Sequence, residues 1–137
     1  MTRGMVNHID LTVTDPARSK PFYERMLDHM GYVCVKSNER GAEFDLKTPA
    51  GFCSVGIARA SGENARRPHD RYSPGLHHLA WTAQDRADVD RMYALLKEMG
   101  ATILDAPADY PQYGPGYYAV FFADPDGLKL EYVHWPK

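Results

Sequence analysis

His8-Ile9-Asp10-Leu11-Thr12-Val13-Thr14-Asp15 reads as a short strand closed by an acid, and seventy residues later His78-Leu79-Ala80-Trp81-Thr82-Ala83-Gln84-Asp85 repeats it. In each copy a histidine opens a run of period-two alternation, the pattern of a strand with two unlike faces. Val6, His8, Asp10 and Thr12 share one face in the first copy, and Ile9, Leu11 and Val13 share the other with Asn7. In the second copy Leu79, Trp81 and Ala83 take the apolar face, and His78 falls with Ala80 and Thr82. The apolar faces predict packing against helices. The histidine faces are polar enough to line a cavity. His77 sits beside His78, but both the alternation and the match of Asp15 to Asp85 select His78 as the repeat's histidine and turn His77 to the other face.

The segments that follow the two strands also correspond. Asp15-Pro16 places an acid at the N-cap and proline at the first helical position, and Phe22, Met26, Leu27 and Met30 supply an apolar stripe. Asp85 opens the second helix, with Val89, Met92, Tyr93, Leu96 and Met99 as its stripe. Gly31 and Gly100 end the two helices at an offset of 69 residues. Strands are predicted near 32–36, 42–46 and 52–58, then near 102–104, 117–123 and 128–134, with turn signals between them. The predicted architecture is therefore α+β: two βαβββ modules in a single domain over 1–137. Module one spans 5–58, a polar linker carrying Gly62, Pro68, Pro74 and Gly75 spans 59–76, and module two spans 77–135. Residues 106–116 hold Pro107, Pro111 and Pro115 with Tyr110 and Tyr113 between them, which predicts a stiff aromatic loop.

Bulk properties exclude several classes of function. A chain of 137 residues fits one domain with a sizeable core. The net charge of −2 and the absence of a basic stripe argue against nucleic acid and anionic membranes as partners. Cys34 and Cys53 form no CxxC and read as small buried residues in a reducing compartment. No segment has the length of a signal peptide core or a membrane span, so a cytoplasmic protein is expected.

The chemistry rests on three side chains. His8 and His78 occupy matched places in the repeat. Glu131 follows the tight turn Asp124-Pro125-Asp126-Gly127 on an alternating strand, sharing its face with Lys129 and Val133. Two imidazoles and one carboxylate make a metal site with open positions. A lone strand histidine or acid is usually solvated, and it is the pairing through the repeat that lifts these above that reading. Asp10 lies on the His8 face, a candidate to hold a ligand in place or to contact substrate, against the equally weighted reading of a surface acid. Tyr110, Tyr113, Tyr117 and Tyr118 cluster in sequence; Tyr113 and Tyr117 are the candidates for a catalytic hydroxyl and Tyr110 for a substrate contact, against the commoner role of packing with a wet hydroxyl. Arg71, with Arg66 and Arg67, is the candidate for binding an anionic group of a substrate, against the bland reading of a solvated linker.

These motifs resemble the vicinal oxygen chelate superfamily, which includes glyoxalase I, bleomycin-resistance proteins, fosfomycin-resistance enzymes and extradiol dioxygenases. The resemblance covers nearly the whole chain and rests on His8 with Asp15 and Phe22-Tyr23, on Gly75-Leu76-His77-His78-Leu79-Ala80-Trp81, and on Phe122-Ala123-Asp124-Pro125-Asp126-Gly127 leading to Glu131. It implies two modules whose curved mixed sheets enclose a metal cup with helices outside, and it puts His8, His78 and Glu131 on the family's ligand positions. It further implies one divalent ion (Fe, Mn, Zn or Ni), a small-molecule substrate chelating through neighbouring oxygens, and a homodimer, with the cup closed within one chain or across two. The implied reaction is of the dioxygenase or the lyase/isomerase type, or else the protein sequesters a small molecule without chemistry, as bleomycin-resistance proteins do. Glyoxalase I and methylmalonyl-CoA epimerase resemble one another in a fourth ligand, Glu or Gln, on the last strand of module one. Aligning the turn Thr48-Pro49-Ala50-Gly51 with Asp124–Gly127 predicts Val55 at that position, with Cys53 on the same face, and hence a three-ligand site.

Overall fold

The structure, a computed structural model, describes residues 3–137. It comprises two compact units, one ending at Arg67 and one running from Pro68 to Lys137. The first contains β1 (His8–Val13), α1 (Pro16–His29), β2 (Val33–Asn38), β3 (Gly41–Thr48) and β4 (Gly51–Arg59). The second contains β5 (Leu79–Thr82), α2 (Arg86–Glu98), β6 (Thr102–Asp109), β7 (Tyr118–Ala123) and β8 (Lys129–His134). Each unit is a four-stranded mixed sheet with one helix, in strand orders β1-β4-β3-β2 and β5-β8-β7-β6. The α+β, twice-βαβββ architecture expected from the repeat is the one observed.

Local chemistry sets both helices where the sequence signals them. Asp15 caps α1 in an extended conformation, its carboxylate accepting from the Ala17 amide at 3.0 Å, and Pro16 fills the first turn. Asp85 caps α2 by accepting from the Asp88 amide at 2.7 Å. Gly31 leaves α1 with φ of 97°, a conformation open to glycine at little cost. The buried faces follow the predicted stripes: Phe22, Met26 and Leu27 on α1, with Tyr23 beside them, and Val89, Met92 and Leu96 on α2. α1 packs on β2, β3 and β4, and α2 on β6, β7 and β8. Each fully buried apolar side chain of this size stabilises by about 1.5–3 kcal/mol.

β1 keeps the face assignment read from the sequence, with Leu11 and Val13 buried and His8, Asp10 and Thr12 exposed. Two expectations need correction. β6 runs on to Asp109, so Ala106 and Pro107 belong to a strand and the aromatic loop begins at Tyr110. Pro107 is tolerated because β6 is an edge strand and its pairing with β7 skips between Asp105 and Ala108. Cys34 is exposed, because β2 lies at a sheet edge with every residue exposed, and Cys53, near the start of β4, is half-buried.

A polar network ties α2 to the second sheet. Asp88, buried on the first turn of α2, accepts from the Tyr132 hydroxyl at 2.7 Å and from the Gln84 amide at 2.9 Å, with Arg91 at 3.5 Å. Burial, and then the bond to Asp88, holds the Tyr132 phenol above its ordinary value of 10.0. The unfolded chain releases that proton near pH 10 while the folded chain retains it. The stabilisation is therefore complete below about pH 10 and is lost as the pH rises toward the folded value. Chemical denaturation is expected to show a midpoint that falls above about pH 10, with a shallower fall in Tyr132→Phe. An identical alkaline slope in the two proteins would contradict this.

No helix among the described residues is long and apolar enough to cross a membrane.

Candidate metal centre

The turn after β7 positions the carboxylate. Asp124 accepts through Oδ1 from the amides of Asp126 at 2.9 Å and Leu128 at 2.8 Å, while its own amide donates to the Leu128 carbonyl at 3.0 Å. Gly127 completes the turn at φ of 85°. β8 then starts in fixed register, and the parallel ladder with β5 sets Ala80 opposite Glu131 and Leu79 opposite Leu130. Because side chains alternate along a strand, this register sends Leu130 into the apolar layer and Glu131 to the face of His78.

Glu131 is 1% exposed. A carboxylate so deeply buried is unfavourable unless its oxygens are engaged. The Tyr117 hydroxyl donates to Oε2. Oε1 lies 3.1 Å from His78 Nε2. Burial first, and then the bond to Glu131, keeps the Tyr117 phenol protonated well above its ordinary range. His78 Nδ1 sits 2.8 Å from His77 Nδ1, so the neighbouring ring holds the nitrogen that faces away from Glu131. His77 thereby has a place in the site that the alternation did not give it.

An aromatic wall surrounds this pair. Phe121 stands opposite Glu131 on β7 and clusters with Ala119 and Val133, against which Tyr110 and Tyr117 pack. Tyr110 and Tyr113 stack at 5.6 Å with an 18° interplanar angle, Tyr113 meets Tyr117 edge-on at 5.3 Å, and Trp135 approaches Tyr117 at 5.2 Å. Tyr113 is 54% exposed, so its hydroxyl face remains open to a ligand. Trp135 and Phe121 were not singled out in the sequence, because neither belongs to the repeat. Arg71 sits beside Tyr72, donating to its hydroxyl at 2.9 Å, and Tyr72 in turn meets the His77 ring edge-on at 5.8 Å.

The C-terminal unit thus brings together His78, Glu131, Tyr110, Tyr113 and Tyr117. His8 and Asp10 belong to the N-terminal unit, where His8 Nε2 lies 3.9 Å from Asp10 Oδ2 and His8 Nδ1 lies 2.9 Å from Asn7 Oδ1. Among the described residues no group of three or more His, Cys, Asp or Glu side chains is gathered as a ready metal site. The 3.1 Å between His78 Nε2 and Glu131 Oε1 is a hydrogen-bond distance, and it also falls near the roughly 3.0 Å that separates two ligands held at right angles about 2.1 Å from an octahedral ion.

The expectation for Val55 is overturned. The β1–β4 ladder pairs Ile9 with Val55 and Asp10 with Gly56, so the counterpart of Glu131 is Gly56. Val55 is 1% exposed and lies in the apolar layer. The two turns used for the alignment differ in length: Thr48 pairs with Gly51 across two residues, whereas Ala123 pairs with Lys129 across five. Matching them glycine to glycine misplaces β4 by one residue, which inverts every side chain.

Comparison with known proteins agrees with this architecture. The sequence profile of the Glyoxalase/Bleomycin resistance protein/Dioxygenase superfamily matches residues 5–132. The uncharacterized protein YqjT of Bacillus subtilis (strain 168) is 31% identical over 128 residues, covering 93% of this chain and 97% of that protein. A glyoxalase-like protein from Bacillus halodurans superposes with a TM-score of 0.81 at 30% identity, with 97% of each chain covered. A glyoxalase/dioxygenase from Nostoc punctiforme superposes with a TM-score of 0.69 at 26% identity, over 97% of this chain and 92% of that one.

Proposed function

Because the chain belongs to the Glyoxalase/Bleomycin resistance protein/Dioxygenase superfamily, we propose that it is a metal-dependent enzyme acting on a small molecule with adjacent oxygens. His78 and Glu131 hold one divalent ion, and His8, of the same chain or of a second copy, completes the set. A bound ion of this kind supplies Lewis-acid stabilisation of negative charge on a substrate oxygen. The single observation that carries the reading is the buried carboxylate of Glu131 facing His78 Nε2 at 3.1 Å.

The remaining residues have separable tasks. Tyr117 anchors Oε2 of Glu131, which leaves Oε1 directed at His78. His77 fixes the ring of His78 through Nδ1. The Phe121 and Tyr110 side excludes water, and the exposed Tyr113 hydroxyl is the candidate proton donor to bound substrate. Arg71, next to Tyr72 and His77, is the candidate contact for an anionic substituent. Ring-cleaving oxidation and lyase or isomerase chemistry both use such a site. The stacked Tyr110–Tyr113 pair also supports a second reading, in which the aromatic wall sequesters a planar molecule without turnover.

Elemental analysis separates the two. Purified protein is expected to carry or take up about one divalent ion per chain, and His78→Ala is expected to lose it together with the thermal stabilisation that the ion gives the parent. Failure of the parent protein to bind any of Fe(II), Mn(II), Zn(II) or Ni(II) would favour sequestration.

A further inference from the structure

Within the C-terminal unit, the His78–Glu131 pair has cations for neighbours. Lys129 stands two residues before Glu131 on β8 and so on the same face of the sheet. Its Nζ lies 4.6 Å from the centre of the Phe121 ring, and Phe121 is the ladder partner of Glu131. From His78, contacts run through the His77 ring to Tyr72 and from the Tyr72 hydroxyl to Arg71. Partial loss of solvent, and then the charges of His78, Lys129, Arg71 and His69, hold the His77 ring below its ordinary value of 6.5, so four such groups reach one imidazole. Among the described residues Lys129 meets an aromatic face and Arg71 a phenol, and neither forms an ion pair. Two ring or guanidinium nitrogens, Arg71 Nε and His69 Nδ1, are buried without a hydrogen-bond partner. A buried donor lacking an acceptor is unfavourable, and cations beside a centre that takes a divalent ion oppose its binding. A ligand that brings negative charge on oxygen acceptors relieves both.

We infer that Arg71 and Lys129 form a subsite for a second anionic group of the substrate, so that the molecule chelated at His78 and Glu131 also carries a pendant carboxylate or phosphonate. The inference rests on the metal-centre reading above and takes the Arg71 contact named there to a substrate class, a short oxygen chelator with an acidic tail. Arg71 supplies a planar fork that matches the two oxygens of such a group, and Lys129 supplies a point charge on a flexible stem. Two residues of strand separate the Lys129 and Glu131 backbones by about 7 Å. That is the reach of a chelating head followed by two or three methylenes. The Phe121 ring, under the Lys129 ammonium and opposite Glu131, offers apolar ground for those carbons.

The test is calorimetric titration of the full-length protein loaded with Co(II), using three hydroxamates that share one chelating head. Butyrohydroxamate has a neutral tail, succinic monohydroxamate ends in a carboxylate, and 3-phosphonopropionohydroxamate ends in a phosphonate. The readout is the ratio of charged-probe to neutral-probe affinity, and the tighter of the two charged probes identifies the group. The parent is expected to favour a charged probe by about tenfold or more, and to lose that preference as salt is raised. Arg71→Gln, and Lys129→Met, which keeps the stem over Phe121, are each expected to lower the ratio several-fold, while Lys129→Arg keeps it. Lys129→Met is also expected to bind Co(II) about two- to fivefold more tightly, since a like charge is gone. A parental ratio near one, or failure of all three probes to bind, with Co(II) bound by the parent and lost in His78→Ala, would overturn the subsite and leave the metal centre standing. A ratio unchanged in Arg71→Gln or in Lys129→Met would remove that residue from it. Absence of Co(II) binding by the parent would overturn both readings.

Discussion

Glu131→Gln is expected to abolish useful metal affinity, a loss well beyond the roughly 10–100-fold of an outer-shell substitution, while leaving the fold as stable as the parent or more so. The two effects diverge for one reason. The Glu131 carboxylate is 1% exposed, and keeping a charge there is unfavourable to folding. Glutamine has the same shape, its oxygen still accepts from the Tyr117 hydroxyl, and its amide faces His78 without a charge. What it lacks is the negative charge, which supplies most of a carboxylate's attraction for a divalent ion. Thermal denaturation of the apo protein, paired with metal titration, measures both halves. Parental metal affinity in Glu131→Gln would remove Glu131 from the site, whatever the stability does. A large loss of stability would mean that the carboxylate is held for folding.

Asp88→Ala is expected to destabilise the protein by about 1–3 kcal/mol, since it removes the acceptor of the buried Tyr132 hydroxyl. The Tyr132 hydroxyl and the Gln84 amide both terminate on its Oδ2, and Tyr132 is only 3% exposed. Natural domains are stable by about 5–15 kcal/mol, so the loss is a large fraction of the total. Tyr132→Phe removes the donor together with its need and is expected to cost only about 1 kcal/mol. Urea titration of the two single variants and the double variant measures the coupling. An additive double variant would mean that the contact contributes nothing of its own. Metal affinity provides an internal control: Asp88 is on the first turn of α2 and Tyr132 is on the helix-facing side of β8, so neither substitution should alter it once the protein is folded.

Most of the fold was legible from the sequence because the decisive signals are local. An acid followed by proline at 15–16, an acid at 85, and glycines at 31 and 100 set helix ends by chain chemistry alone, and the structure keeps each. The face assignment of β1 held for the same reason, since alternation in a half-buried strand needs no knowledge of the partner. Part of the candidate site was legible: the repeat singled out His78, the Asp124 turn fixes the register of Glu131, and the two meet at 3.1 Å, whereas His8, singled out by the same repeat, belongs to the other unit. The errors arose where the answer depends on pairing between strands. Turn lengths of two and five residues cannot be compared without seeing the ladder, and that one-residue slip put Val55 where Gly56 stands. Phe121 and Trp135 were invisible because no periodic signal distinguishes an aromatic residue over a site from one in the core. Pro107 looked like a loop residue because an edge strand carries no sequence mark of being at an edge.

The approach of Asp10 to the bare backbone at position 56 also bears on how this chain can change over generations. A Cβ at 56 meets Oδ1 of Asp10, the exposed end of a flexible side chain, so a new side chain there is accommodated by a turn of the carboxylate rather than by a shift of the backbone. Substitutions at 10 and 56 are therefore expected to be only weakly coupled, and each position is open to change in single steps.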